Sequence, residues 1–119
     1  MSKQLAVPTV QQDDDVLRIT TWEFEPGASM GYHEHAWPYF VTMLVAGTLV
    51  IDDGESVREV ILTAGQAYMR PAGVKHEVKN GSVHRIAFVE IEVKQPAVLM
   101  TTSRPDSSSP GCGDTAAAE

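Results

Sequence analysis

Short runs of β-branched and aromatic residues, separated by glycine, proline and asparagine, recur along most of this chain. The first clear run, Val16 to Phe24, reads VLRITTWEF and ends at the turn sequence EPG. Such runs predict strands, and the residues between them predict turns. Seven further strands are predicted in the same way, over 31–35, 39–45, 48–52, 57–63, 66–70, 74–79 and 83–93.

No helix is predicted, because no segment keeps a 3.6-residue apolar period with capping residues at both ends. The segment KNGS at 79–82 places Asn80 and Gly81 between two predicted strands, which is a strong hairpin signal. About eight short strands in a chain of 119 residues predict a single all-β domain, either a sandwich or a small barrel.

The run YFVTMLVAG, from Tyr39 to Gly47, is apolar at nearly every position. A strand with one face in water alternates between apolar and polar residues, so both faces of this strand should be covered. The barrel interior would cover one face. A second copy of the chain would cover the other, and we therefore expect a homodimer.

The remaining composition sets the domain limits and excludes some partners. We predict an N-terminal arm over 1–15, a folded domain over 16–94 and a flexible C-terminal tail over 95–119, which is rich in Ser, Pro, Gly and Ala. A net charge of −7 without clustered Lys and Arg argues against nucleic acid as a partner. The chain has no signal-peptide pattern and no apolar run of membrane-spanning length, and its one cysteine, Cys112, fits a cytoplasmic protein that does not bind membranes.

Two histidines precede the central apolar run. His33 and His35 are two positions apart, so on a strand their side chains point to the same face, while Glu34 points to the other. Two imidazoles on one face are compatible with a metal site and also with ordinary surface or core polarity. A third ligand is needed to decide between these interpretations.

At this point the chain resembles the cupin superfamily. Its first motif, with His-x-His between two glycines, is matched by Gly27, His33, His35 and Gly47. Its second motif is matched in GQAYMRPAGVKHEVKN by Gly65, Pro71, Gly73, His76 and Asn80. The resemblance covers roughly 16–93 and implies a double-stranded β-helix, the cupin jelly-roll barrel, with a metal bound by His33, His35 and His76.

One position departs from the family motif. The usual glutamate ligand is replaced by Phe40, or by Tyr39 under the alternative spacing. Three neutral imidazoles would leave a divalent ion with its full charge and favour an anionic chelating substrate. The arrangement is similar to that of acetylacetone and thiol dioxygenases, and also to small cupins of amine and β-alanine catabolism. It implies one divalent transition metal per chain, Fe(II) first, with Zn, Ni, Mn or Cu as alternatives.

Further side chains are expected around this ion. Phe40 should stand beside the metal in the position of the absent glutamate, and Arg70 is a candidate for binding a substrate carboxylate. His84 is a candidate for the pocket but is not counted among the ligands. The other predicted pocket residues are Met30, Trp37, Tyr39 and Tyr68.

Three functions are compatible with these features. The first is a metal-dependent dioxygenase acting on a small anionic substrate that chelates the ion. The second is a non-catalytic module that binds a small ligand or a metal. The third is an isomerase or lyase that uses the ion as a Lewis acid, for which Tyr39, Tyr68 and His84 are the candidate bases.

Overall fold

The computed structural model describes residues 4–96, and within that range all regular structure is β-strand. Among these residues, no helix has the length and apolar character needed to span a membrane. The described strands are β1 (Val7–Asp13), β2 (Leu17–Phe24), β3 (His33–Glu34), β4 (Tyr39–Val45), β5 (Gly47–Asp52), β6 (Val57–Leu62), β7 (Ala67–Arg70), β8 (Lys75–Asn80) and β9 (Ile86–Val93).

The strands form two antiparallel sheets that pack face to face. The five-stranded sheet has the order β1-β2-β9-β4-β7, and the four-stranded sheet has the order β3-β8-β5-β6. The core between the sheets contains Phe24 and Phe88, whose rings lie 5.3 Å apart, together with Met43, Leu49 and Ile86. The prediction of an all-β jelly-roll barrel is confirmed.

Strand β1 was not predicted, because it lies inside the segment assigned to an N-terminal arm. It pairs with β2 from Val7 opposite Glu23 to Asp13 opposite Arg18, with a bulge between Val10 and Gln12. All its residues are exposed, so its sequence lacks the apolar alternation of a half-buried strand. The tail, from residue 97, and Cys112 lie outside the described residues.

Strand β4 alternates in burial although its sequence is apolar nearly throughout. Tyr39, Val41 and Met43 are buried toward the barrel interior, whereas Phe40 is only partly buried and Leu44 is exposed. Phe40 lies opposite Met69 of β7 and Ile91 of β9, on the outer face of the sheet. The strand therefore presents Tyr39, rather than Phe40, to the interior.

A tight turn fixes the position of the second histidine. Gly73 has a φ of +95°, a conformation that residues with a Cβ rarely adopt. Its N–H donates to the carbonyl of His35 at 2.8 Å, and the N–H of His35 donates to the carbonyl of Val74 at 2.9 Å. These two bonds hold the segment after β3 against the start of β8.

Candidate metal centre

Three histidines from two neighbouring segments meet at one point in the barrel. His33 lies directly opposite His76 in the β3–β8 pair, and His35 follows on the same face as His33. The rings contact one another edge to face, with centroids 4.7 to 5.1 Å apart. One ring nitrogen from each of the three lies within 4.8 Å of the others, as the sequence motifs had indicated.

The nitrogens that face each other are the three Nε2 atoms. His35 Nε2 lies 3.0 Å from His33 Nε2 and 3.2 Å from His76 Nε2. His33 Nδ1 lies 2.8 Å from the carbonyl of Gly31, and because a carbonyl only accepts, Nδ1 carries the proton. The Nε2 lone pair of neutral His33 therefore points at the cluster.

This donor set fits one metal ion. A single N–H on His35 can serve only one of its two close Nε2 contacts well, so without an ion some lone pairs oppose each other. Adjacent nitrogen ligands at about 2.1 Å from an octahedral ion lie about 3.0 Å apart, and around a tetrahedral ion about 3.4 Å. The observed separations fall in this range, so the cluster is compatible with a single ion.

Burial keeps two of these imidazoles neutral. His35 is 4% exposed and His76 is 5% exposed. Desolvation, reinforced by the other histidines and by Arg70, lowers the pKa of His35 to about 3. Desolvation, with contributions from His33, Arg70 and Arg58, lowers the pKa of His76 to about 4. Unprotonated imidazole is the form that binds metal, so both rings are ready to do so at neutral pH.

Tyr39 lies against the cluster at one of the two positions where the family motif has a glutamate. Its ring stacks on that of His35, with centroids 3.8 Å apart and planes 17° apart. Its side chain is 2% exposed, and burial raises the pKa of the phenol above its usual value, so it keeps its proton. Tyr39 thus orients the His35 ring instead of supplying a charged oxygen.

A carboxylate does lie beside the histidines, but it comes from β9. Glu90 is 5% exposed, and its Oε2 lies 3.9 Å from His35 Nε2. Trp22 Nε1–H donates to its other oxygen at 3.2 Å. Desolvation, with a contribution from Glu92, raises the pKa of Glu90 to about 7. Sequence reasoning missed Glu90, although its even spacing from the apolar Ile86 and Phe88 places it on the inner face.

Two cavities open on either side of the cluster. The larger, of about 370 Å³, is lined by His33 and His35 with the acidic residues Glu34, Glu90 and Glu92. The smaller, of about 260 Å³, is lined by His76 and Tyr39 with Tyr68, Arg58 and Arg70. The histidines therefore separate an acidic space from a basic one.

The remaining predicted pocket residues have different positions. Met30 lines the larger cavity, and Tyr68 and Arg70 line the smaller. Trp37 packs against the cationic groups of Arg18 and Lys94, 5.3 and 5.5 Å from its ring. The exposed His84 donates from Nε2 to the carbonyl of Ala46 at 2.8 Å, and neither His84 nor Phe40 lines the two cavities.

A jelly-roll barrel with three imidazoles converging in its interior defines the cupin class of proteins. Residues 20–92 match the model of the Cupin domain family, and the chain belongs to that family.

Similar proteins agree with this assignment. The chain is 49% identical over 89 residues to the beta-alanine degradation protein BauB of Pseudomonas aeruginosa. The aligned region covers 75% of this chain and 94% of that protein. It is 40% identical to a cupin domain from Bordetella pertussis, with a TM-score of 0.76 over 80% of this chain and 99% of that one. A cupin superfamily protein from Desulfitobacterium hafniense shares the fold at 18% identity, with a TM-score of 0.63 over 80% and 83% of the two chains.

Proposed function

We propose that this cupin binds one divalent transition metal, Fe(II) in the first place, through His33, His35 and His76, and oxidises a small anionic substrate with molecular oxygen. The observation that carries the proposal is the convergence of three Nε2 atoms, 3.0 and 3.2 Å apart along the cluster. A bound ion would supply open coordination positions for the substrate and for oxygen.

The protein would orient the ligands and keep water away. The carbonyl of Gly31 fixes the tautomer of His33, and the ring of Tyr39 fixes the plane of His35. Trp22 and Met30 line the larger cavity beside the histidines and limit the water that reaches them. Glu90 lies near His35. When Glu90 is ionised, its negative charge lowers the net charge of the site below that of an ion with three neutral imidazoles.

The size of the cavities and one relative support a small substrate. The larger cavity lies near the lower end of the range for small-molecule sites, which is roughly 300–1,000 Å³, and the smaller cavity lies just below it. The name of BauB assigns that protein to the degradation of β-alanine, a small carboxylate. At 49% identity, this supports a small carboxylate metabolite as the substrate here as well.

The test begins with elemental analysis of protein purified without chelator. We expect close to one transition-metal ion per chain. Oxygen uptake by the Fe(II)-loaded protein should then be measured with small thiols, β-dicarbonyls and short amino or keto carboxylates. Metal at stoichiometry with no uptake on any of them would favour the non-catalytic binding module, and absence of metal would exclude the proposed function.

The isomerase or lyase alternative has less support from the described residues. Burial raises the pKa of Tyr39 and of Tyr68, so both phenols keep their protons at neutral pH and are poorly suited as bases. His84 is bonded to Ala46 and lines neither cavity. Product formation in the absence of oxygen is the observation that would restore this alternative.

We also propose a homodimer through the outer face of the five-stranded sheet. Leu44 and Met69 are each 50% exposed, and Phe40 lies beside Met69 on the same face. A second copy would remove this apolar surface from water. Sedimentation should show a dimer for the natural chain and a monomer for Leu44→Glu.

A further inference from the structure

Two arginines from different sheets face the smaller cavity. Arg70 of β7 lies opposite the inward-facing Tyr39 of β4, and Arg58 of β6 lies opposite the inward-facing Ile51 of β5. Residues opposite each other in a pair share a face, so both guanidinium groups belong to the interior side. Arg70 is partly buried, and Arg58 is exposed at the mouth of the cavity.

These arginines lack the ion pairs that other cations in this chain make. Within residues 4–96, Arg18 pairs with Asp13 and Glu92, and Arg85 pairs with Glu23 and Glu25. In that same range neither Arg58 nor Arg70 forms an ion pair or a side-chain hydrogen bond, although the chain carries seven more acidic than basic residues.

The two charges act on the same space. Arg58 and Arg70 each lower the pKa of His76, Tyr39 and Tyr68, which in the two tyrosines opposes the effect of burial. The smaller cavity therefore has a positive potential next to His76, whereas the cavity on the other side of the cluster is lined by three glutamates and one arginine, Arg18, which is paired with Glu92.

We propose that Arg58 and Arg70 form a carboxylate-binding subsite, so that a small substrate enters through the smaller cavity with its carboxylate on the arginines and its chelating group toward His76. A guanidinium binds a carboxylate through two parallel hydrogen bonds, which fixes orientation as well as position. Ile51 and Val60 provide the apolar wall for a short carbon chain. The catalytic use of this subsite rests on the metal-dependent function proposed above.

The test measures binding of propionate by NMR titration, with propanol and propylamine as probes of the same length without the negative charge. Both the metal-free and the Zn(II)-loaded protein are titrated, so no activity is required. We expect propionate to bind and to shift the signals of Arg70 and His76, and we expect the other two probes not to bind. Inorganic phosphate distinguishes a carboxylate site from a general anion site, and equal or tighter binding of phosphate would overturn the carboxylate assignment.

Variants identify the residues responsible. Arg58→Gln and Arg70→Gln should each weaken propionate binding by roughly tenfold or more, and Arg70→Lys should recover only part of the loss, because it keeps the charge without the planar fork. Arg18→Gln, which removes the arginine of the larger cavity, and Arg85→Gln, on the outside, are the matched controls and should bind as the natural chain does. Melting temperatures establish that each variant is folded.

The outcomes separate this proposal from the proposed function. If the variants keep one metal ion per chain and bind propionate as tightly as the natural chain, the subsite is wrong while the metal site stands. If the natural chain binds no metal but loses propionate when Arg58 or Arg70 is replaced, the subsite stands and the metal function is wrong. Equal loss in Arg18→Gln would move the carboxylate to the larger cavity and overturn the proposal.

Discussion

The two cavities beside the histidine cluster differ in charge and in how they are built. The larger cavity contains Glu90 and Glu92 from β9, which lies in the middle of the five-stranded sheet. The smaller contains Arg58 and Arg70 from β6 and β7, which are the edge strands of the two sheets. An acid in the middle of a sheet is desolvated, whereas an arginine at an edge keeps part of its hydration. We therefore expect the ionised glutamates of the larger cavity to destabilise the folded state more than the arginines of the smaller cavity do.

This difference also assigns roles to the two sides. An anion entering the larger cavity would approach three glutamates and one arginine, Arg18, that is already paired with carboxylates. An anion entering the smaller cavity would approach two arginines without partners among residues 4–96. His76 faces the basic side, and His33 and His35 face the acidic side. The histidine cluster is the boundary, so changes to it should have the largest effects.

The first prediction concerns a variant that lacks His76, the histidine that faces the basic cavity. His76→Ala should abolish stoichiometric metal binding, lowering affinity by about 100-fold or more, because even an outer partner of a ligand is worth roughly 10–100-fold. Elemental analysis and competition with a chelator measure the change. His84→Ala is the matched control, since His84 bonds to Ala46 outside the cluster. Metal retained by His76→Ala would exclude the three-histidine assignment.

The second prediction compares two neighbouring positions on β4. Tyr39→Glu places a carboxylate against His35 and should tighten metal binding by roughly tenfold, because it adds a charged oxygen donor. The metal-free form should be destabilised, since a buried carboxylate without a partner is unfavourable, and metal should restore its melting temperature.

Phe40→Glu is the control for that variant. Phe40 lies on the outer face of the same strand, so a carboxylate there should leave metal affinity unchanged. Tighter metal binding in Phe40→Glu, with none in Tyr39→Glu, would return Phe40 to the position that the sequence motif suggested.

Much of the fold and the histidine cluster could be predicted because their signals are local. Turn residues separate the strands, and the spacing of the two motifs in the sequence is enough to identify His33, His35 and His76. The choice between Tyr39 and Phe40 was not local, since it depends on which face of β4 meets the barrel interior. Apolar residues at nearly every position of this strand hide that alternation.

The residues that distinguish the two cavities were mostly missed, for a related reason. Glu90 and Arg58 stand in strands whose sequences give no motif, and their approach to the cluster follows from the register of β9 with β4 and of β6 with β5. Arg70 was identified only because it precedes the motif proline Pro71. Pairing between strands distant in sequence carries this information.

The third prediction concerns how much ionised Glu90 destabilises the metal-free protein. Folding raises the pKa of Glu90 from 4.5 to about 7, so the folded state binds more protons than the unfolded state between these values. The free energy of unfolding therefore falls as pH rises from 4.5 toward 7, because Glu90 becomes ionised. Above pH 7 the full loss is reached, and it is about 3 kcal/mol. Glu90→Gln should stabilise the protein by about this amount at pH 8 and by only about 1 kcal/mol near pH 5.

Denaturant unfolding of the chelator-treated protein at the two pH values measures this effect. Glu34→Gln is the matched control, because Glu34 lines the same cavity but is exposed to solvent, and its replacement should change stability little at either pH. An equal gain from Glu90→Gln at both pH values would show that the ionised carboxylate of Glu90 is not the source of the cost.

The last and smallest effect concerns the hydrogen bond that stabilises ionised Glu90. Trp22 Nε1–H donates to Glu90 at 3.2 Å, and this bond lowers the pKa of a carboxyl that burial raises. Trp22→Phe keeps an aromatic ring but removes the donor, so the pKa of Glu90 should rise further above 7, by about one unit for a hydrogen bond to a charged group. Carbon-detected NMR titration of the Glu90 carboxyl in metal-free protein measures the shift.

Trp37→Phe is the control, because Trp37 packs against Arg18 and Lys94. A titration midpoint that stays in place in Trp22→Phe, or moves equally in both variants, would mean that Trp22 does not set the charge of the acidic cavity, leaving desolvation and Glu92 as its determinants.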